Sequence, residues 1–287
     1  MSNIQHLIDS YPLNFKLIEG DIRNFETCVR AVNGVQYVLH EAALGSIPRS
    51  INDPITTNDV NIGGFLNMLV AARDSNIRRF IFAASSSTYG DNTDLPKKED
   101  NIGKPLSPYA LTKYVDELYA DVFAKTYGIE YIGLRYFNVF GRRQDPNSMY
   151  AAVIPLFIKQ FLNHKQPKIN GDGLNTRDFT YIDNVLHMNM LALNTTNTQA
   201  VNQIYNTAGG GRTSINKLAN EIKSCLVQYD FSISDINPIY GANRLGDIPH
   251  SFASIDKAKQ LLGYSPLVSF QEGLNETVKW YVNNKNH

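Results

Sequence analysis

Phe80-Ile81-Phe82-Ala83-Ala84 runs without a break into Ser85-Ser86-Ser87-Thr88-Tyr89-Gly90. Five apolar residues without polar alternation, closed by a serine- and glycine-containing turn, read as a strand buried on both faces. Upstream, residues 15–18 and 35–40 read as strands, and downstream so do residues 131–134 and 204–208. Segments 57–74 and 108–127, which lie between them, carry helical periodicity. In the second, Leu111, Val115, Leu118 and Val122 recur at helical spacing and form one apolar face. Ser107 suits the N-cap, Pro108 the first helical position and Gly128 the residue beyond the C-cap. Strands alternating with helices of this length predict an α/β fold, a Rossmann-like doubly wound parallel sheet with right-handed crossovers.

The pattern changes after Gly141. Residues 142–148 are polar and turn-rich, Gly171-Asp172-Gly173 marks another turn, and the chain from Ile215 onward reads as mostly helical. This predicts a sheet domain made of residues 1–138 plus 178–207, and a smaller lobe made of 139–177 plus 208–287. Lys+Arg and Asp+Glu both number 27, which gives no basic excess to draw nucleic acid. No apolar run is long enough to span a bilayer, and the N-terminus lacks the basic and apolar regions of a signal peptide. Cys28 and Cys225 stand alone and read as reduced thiols, which points to the cytoplasm. The six histidines form no HxxxH or HExxH pattern, so no metal site is expected.

Tyr109-Ala110-Leu111-Thr112-Lys113 places a phenol and an ammonium four residues apart, on one helix face. A phenol ordinarily loses its proton near pH ~10, and a neighbouring cation favours the phenolate. By itself the spacing more often marks a half-exposed tyrosine beside a solvated lysine. The context decides otherwise, because ligands on open α/β sheets bind at the carboxyl ends of strands, where Ser85 stands. A serine there can hydrogen-bond a substrate hydroxyl whose proton the tyrosinate takes. Turn capping is the competing role for these hydroxyls, for Thr88 above all and for one of the three serines.

A serine after a strand, followed by YxxxK, resembles the Ser-Tyr-Lys triad of the short-chain dehydrogenase/reductases. Ser85-Ser86-Ser87-Thr88-Tyr89-Gly90, Ser107-Pro108-Tyr109, Arg135-Tyr136-Phe137-Asn138-Val139-Phe140-Gly141 and Arg177-Asp178-Phe179-Thr180-Tyr181-Ile182-Asp183 together resemble its extended, nucleotide-sugar branch. Residues 40–50 and 141–147 are similar to the UDP-N-acetylglucosamine 4-epimerase group of bacterial polysaccharide pathways. The resemblance implies NAD as cofactor, a UDP-sugar as substrate, and no nucleic-acid or membrane partner. It makes Tyr109 the base, Lys113 its partner and a ribose ligand, and Ser85 the hydroxyl donor. It lays Asp21 and Ile22 beside the adenine, and Ala42, Ala43, Asn61 and Tyr136 along the cofactor. The substrate would meet Ser46, Ser86, Ser87, Asn138, Val153, Arg177, Arg244, Asp247 and Ser251. Forked guanidinium bonds from Arg177 and Arg244 suit a diphosphate, and Asp247 suits ribose hydroxyls.

The resembled family begins with a strand, a glycine-rich turn and a helix, whose amides receive the cofactor pyrophosphate. Nothing of the kind occurs here. Gly63-Gly64 falls inside a helical segment, and Gly209-Gly210-Gly211 lies far downstream. About fifty residues of that pattern are absent. Either the start is misassigned or the gene interrupted, or the shortened chain is the product. In the second case it is expected to be poorly soluble or to bind NAD weakly, a non-catalytic relic or a fragment that needs a partner. A 4,6-dehydratase is disfavoured, because its acid-base pair would follow the triad hydroxyl, where this chain has Ser86 and Ser87. Decarboxylation is a further, weaker alternative. The resemblance also implies pairing of helices 57–74 and 108–127 across a homodimer. Finally, the position four residues after Asp247, which in that family borders the sugar C2 substituent, is the small Ser251, implying room for an N-acetyl group.

Overall fold

The computed structural model describes residues 3–147, 151–242 and 248–284. Its centre is a four-stranded, all-parallel sheet in the order β1-β2-β3-β8. These strands are β1 (Tyr37–His40), β2 (Arg79–Ser85), β3 (Glu130–Tyr136) and β8 (Gln203–Thr207). Short pairs lie outside it: β4 (Val139–Phe140) with β7 (Thr180–Tyr181), β5 (Lys168–Asn170) with β10 (Ile239–Gly241), and β6 (Thr176–Arg177) with β9 (Thr213–Ser214). The helices in chain order are α1 (Gln5–Ser10), α2 (Phe25–Val32), α3 (Ile47–Asn52), α4 (Pro54–Asn58), α5 (Gly64–Asp74), α6 (Pro108–Tyr127), α7 (Val153–Leu162), α8 (Ile182–Asn194), α9 (Ile215–Val227), α10 (Asp256–Leu262) and α11 (Phe270–Asn283).

Residues alternate faces along a strand, so the apolar run of β2 serves two cores at once. Phe80 and Phe82 pack with Phe65, Leu69, Phe123 and Tyr131 on one side. Ile81 packs with Ile132, Leu134, Met188 and Tyr205 on the other. A third core, around Phe140, Phe157, Phe161, Leu218, Ile222, Leu274 and Val278, joins α7, α9 and α11. The continuous apolar reading of residues 80–84 is therefore what a strand sandwiched between helix layers requires.

The helix expected at 108–127 has those bounds. Ser107 Oγ accepts from Ala110 N–H, Pro108 opens the first turn, and Gly128 closes the helix at φ 74°. The leucine-valine face read from its periodicity is the outward one: Leu111, Leu118 and Val122 are about half exposed, while Ala110, Lys113, Asp116, Glu117 and Ala120 face the sheet. Segment 57–74 is helical with one irregularity. A π turn at Asp59–Gly63 links α4 to α5. Gly64 is needed there, because a Cβ would stand 2.5 Å from the Ile22 side chain.

The strand expected at residues 15–18 is not formed; the segment is irregular. Backbone groups make a strand only beside a partner, and among the described residues none lies next to it. β1 likewise has a neighbour on one edge only. Leu39 sits in register with the fully buried Ile81, yet is 47% exposed, so the sheet face is uncovered at that edge. Among the described residues no helix is long and apolar enough to cross a membrane.

Candidate active site

Helix α6 packs against β2 and β3, tied to them by Lys113 at Ala83 and by Glu117 at Arg135. Ser85 closes β2, and its Oγ accepts from Ser87 N–H at 3.1 Å and lies 2.8 Å from Ser87 Oγ. It thereby caps the 3₁₀ turn Ser86–Tyr89. With two donors already directed at it, the Ser85 hydroxyl keeps its own proton for a further acceptor. Thr88 does serve the turn, donating to the Ser85 carbonyl at 2.8 Å. Gly90 ends the turn at φ 54°, where a Cβ would stand 1.9 Å from the Lys104 carbonyl oxygen; only glycine fits.

Tyr109 lies half-buried in the first turn of α6, and Lys113 lies buried one turn later. Lys113 Nζ donates to the Ala83 carbonyl at 3.0 Å and to Asp116 Oδ2 at 3.2 Å. Asn61, on the π turn, ties the loop after β1 to this helix. Its amide nitrogen donates to the Leu44 carbonyl and to Thr112 Oγ1, and its oxygen accepts from Leu44 N–H. A π turn inside a helix recurs at functional sites, and here it lets Asn61 reach both elements.

Ala42 follows β1 and lines a cavity of about 350 Å³ with Asp21, Ile22, Val38, Leu39 and Glu41. Ala43 continues the same loop. Asp21 is exposed, and the Arg23 side chain and N–H hold its carboxyl down at about 2. At the end of β3, the Tyr136 hydroxyl donates to Glu41 Oε1 and accepts from the Asn189 amide, both at 2.8 Å. An acceptor at Asp21 and the apolar walls of Ile22, Val38 and Leu39 beside it could take the adenosine end of a dinucleotide. The pyrophosphate finds no such cradle among the described residues. The glycine turn after β8 spends its amides on a carboxylate instead, Gly209 N–H and Gly211 N–H donating to Asp178 Oδ1 at 3.0 and 3.5 Å.

A second cavity, about 200 Å³, is lined by Ser86, Ser87, Ser107, Asn138, Arg177 and Ser251. A third, about 220 Å³, holds Val153, Lys168 and Asn175, and it shares Asn138 and Arg177 with the second. Asn138 adopts φ 35° and donates to the Asp178 carbonyl; Ser46, at φ 108°, caps α3. Non-glycine residues held in such conformations are a recurrent property of ligand sites. Arg177 Nη1 donates to the Thr176 and Pro249 carbonyls, which holds the guanidinium beside both cavities. Ser251 is 3% exposed, its N–H bonded to the Thr176 carbonyl. Arg244 and Asp247 lie outside the described residues. No cluster of three metal-ligating side chains occurs among the described residues.

The sequence reading passed over the charged pairs behind the site. Arg135, buried in β3, makes a forked pair with Glu117 at 2.9 and 2.7 Å, donates to the Glu99 carbonyl and lies over the Tyr89 ring. An arginine inside an apolar strand was the available signal, since such a charge demands a buried partner. Asp116 was equally legible as an acid one turn beyond Lys113.

Residues 2–208 match the description "NAD dependent epimerase/dehydratase family". The chain belongs to that family. It is therefore an epimerase-class, NAD-dependent enzyme with the Rossmann-like fold of its relatives. It is 32% identical to the UDP-glucuronate 4-epimerase of Thermodesulfobacterium geofontis, over 94% of this chain and 80% of that one. Its structure is similar to UDP-N-acetylglucosamine 4-epimerase from Methanobrevibacter ruminantium M1 in complex with UDP-N-acetylmuramic acid. That match has a TM-score of 0.89 and 38% identity, and it covers 98% of this chain and 87% of the other. It is also similar to UDP-glucose 4-epimerase from Thermotoga maritima with UDP-glucose, with a TM-score of 0.88 and 34% identity, over 95% of this chain and 86% of the other. These three epimerases act at the same sugar carbon but differ in the sugar they are named for.

Proposed function

We propose that this epimerase interconverts the C4 epimers of a UDP-N-acetylhexosamine, UDP-N-acetylglucosamine and UDP-N-acetylgalactosamine or their uronic acids, for bacterial surface polysaccharide synthesis. The observation that carries the choice of sugar is Ser251. It is small, buried and in one cavity with Ser86, Ser87, Asn138 and Arg177. A bulky side chain there would fill the space that a C2 acetamido group needs.

In this reading Tyr109, as phenolate, accepts the proton of the sugar 4-hydroxyl, and Lys113 holds the phenolate by its charge. Ser85 keeps its proton and donates a hydrogen bond to the oxygen at C4 as a carbonyl develops there. Asp21, Ile22, Ala42, Ala43, Asn61, Lys113 and Tyr136 would hold NAD, which when bound would supply reversible hydride chemistry at the sugar C4. Arg177, with Arg244, anchors the diphosphate while Asn138, Ser46 and Val153 line the path in which the keto-sugar turns over. Asp247 takes the uridine ribose. Tyr109 holds the abstracted proton and returns it to the C4 oxygen to complete the epimer, so the reaction is redox-neutral overall and needs no external reductant. Ser86 and Ser87 carry no carboxyl, so the site has no acid-base pair to expel a C6 hydroxyl.

Residues 1–138 plus 178–207 would carry the cofactor and 139–177 plus 208–287 the nucleotide-sugar, in line with the separate core around Phe157, Phe161 and Ile222. The uncovered Leu111, Leu118 and Val122 face of α6 suits a homodimer packed through α5 and α6. A protein with this substrate works in the cytoplasm. Comparing kcat/KM for UDP-N-acetylglucosamine and UDP-glucose in the protein and in Ser251→Tyr tests the sugar assignment. Preference for the acetylated sugar, lost by ~10-fold or more in the variant, is expected. An equal change for both sugars refutes Ser251 as the determinant.

A further inference from the structure

Asp116 is fully buried, and its Oδ2 stands 3.2 Å from the Lys113 ammonium, itself only 3% exposed. Its Oδ1 is buried and has no hydrogen-bond partner among the described residues. A carboxyl group in such a place is costly to keep, and a neutral side chain of the same shape would fold with less penalty. We propose that Asp116 is the buried counter-ion of Lys113, a positioning residue that keeps the ammonium charged and in place beside Tyr109. The proposal rests on Tyr109 being the proton acceptor.

The other charges around the pair leave this role to Asp116. Glu117, next along α6, is engaged by the forked bonds of Arg135 on β3. His40, at the end of β1, is pushed down to about 3 by burial and by the Lys113 charge, so it is neutral near pH 7. Glu41 accepts from the Tyr136 hydroxyl. Among the described residues, the other hydrogen-bond partner of Lys113 is the Ala83 carbonyl. Burial pushes the Asp116 carboxyl up to about 7 against the pull of Lys113, so at and above neutral pH the carboxylate is substantially populated.

Asp116 acts on Tyr109 through Lys113 rather than directly. Seven residues of helix separate Asp116 from Tyr109, ~10 Å along the axis. At equal dielectric its direct interaction is thus ~3-fold weaker than its contact with the ammonium. Removing the charge therefore acts first on Lys113. A desolvated ammonium without a counter-ion gives up its proton more readily, and the phenolate then loses the cation that favours it.

The test is Asp116→Asn, which keeps shape and removes charge, with Tyr109→Phe and Asp116→Glu alongside. In Asp116→Asn, kcat at pH 7 should fall ~10-fold or more with KM for the UDP-sugar within ~2-fold. The limb on which kcat rises with pH should move up by about one unit. The phenolate absorbance lost in Tyr109→Phe, read without substrate, should appear at correspondingly higher pH. Asp116→Glu, which keeps the charge, should hold the wild-type limb and provides the test if Asp116→Asn does not fold. A limb that stays in place or moves down in Asp116→Asn, or one displaced in Asp116→Glu, overturns the proposal. Should Tyr109→Phe itself retain turnover, the base assignment fails. Should that variant be inactive while Asp116→Asn keeps the wild-type profile, only the role of Asp116 fails.

Discussion

Glu117→Gln removes one charge from the forked pair with Arg135 and almost nothing else. Both partners are buried, at 6% and 3% side-chain exposure, and the two bonds measure 2.9 and 2.7 Å. After the change the guanidinium keeps the Glu99 carbonyl and the Tyr89 ring, but its charge is uncompensated in a dry interior. Breaking a buried pair from one side costs ~3–5 kcal/mol. For a chain of 287 residues that corresponds to a fall in Tm of roughly 5–8 °C. Replacing both, as Glu117→Leu with Arg135→Met, removes the orphaned charge, so the double variant should lose much less than the two single losses added together. The cycle of single and double variants, measured by reversible urea unfolding, should show a coupling of at least ~2 kcal/mol. Additivity within ~0.5 kcal/mol, or a loss below ~1 kcal/mol in Glu117→Gln, would refute the view that the pair is a mutually dependent buried unit.

Other consequences can be measured separately. Tyr109→Phe should lower kcat by ~100-fold or more while leaving UDP-sugar binding by calorimetry intact; near-normal turnover refutes the base assignment. Gly90→Ala forces a Cβ against the Lys104 carbonyl and should destabilise the fold by ~2 kcal/mol or more, seen as a lower urea midpoint; an unchanged midpoint contradicts the turn geometry. The Asp116 carboxyl stands at about 7 in the folded chain against an ordinary 3.8, because of its burial. The unfolded chain releases that proton first, so this contribution favours folding below pH ~4 and is lost as pH rises towards ~7. The stability difference between the protein and Asp116→Asn should therefore drift by a few kcal/mol across that window, and a flat difference would refute it. Leu118→Glu, on the exposed face of α6, should halve the mass seen by light scattering if that face pairs two chains. An unchanged mass rejects that interface.

Much of the sheet was legible because its strands obey one rule. A parallel strand between two helix layers must be apolar throughout, and residues 80–84 and 131–134 are. α6 was legible to the residue because both its caps are written in the sequence, as Ser107-Pro108 and Gly128. Residues 15–18 misled because strand composition is a local property, whereas pairing needs a neighbour that local sequence does not contain. The face of α6 defined by Leu111, Leu118 and Val122 could be identified, but periodicity alone could not say whether it turned inward or outward. Of the site, the Ser85 turn and the Tyr109–Lys113 spacing were visible as local patterns. The shared cavity of Ser86, Asn138, Arg177 and Ser251 joins residues up to 165 positions apart, and only the resemblance to known enzymes connected them beforehand. Arg135 could have been noticed from its apolar strand, but nothing local to Glu117 marks it as the buried partner rather than a surface charge.

The half-covered edge of β1 bears on how this protein should be handled. Leu39 is exposed beside a fully buried neighbour, and among the described residues the backbone of β1 is paired on one side only. Such an edge can accept any passing extended chain by hydrogen bonding, with little regard to sequence. Self-association should rise with protein concentration even well below the melting transition, and a charged residue placed at position 39 should suppress it without touching the catalytic face of α6.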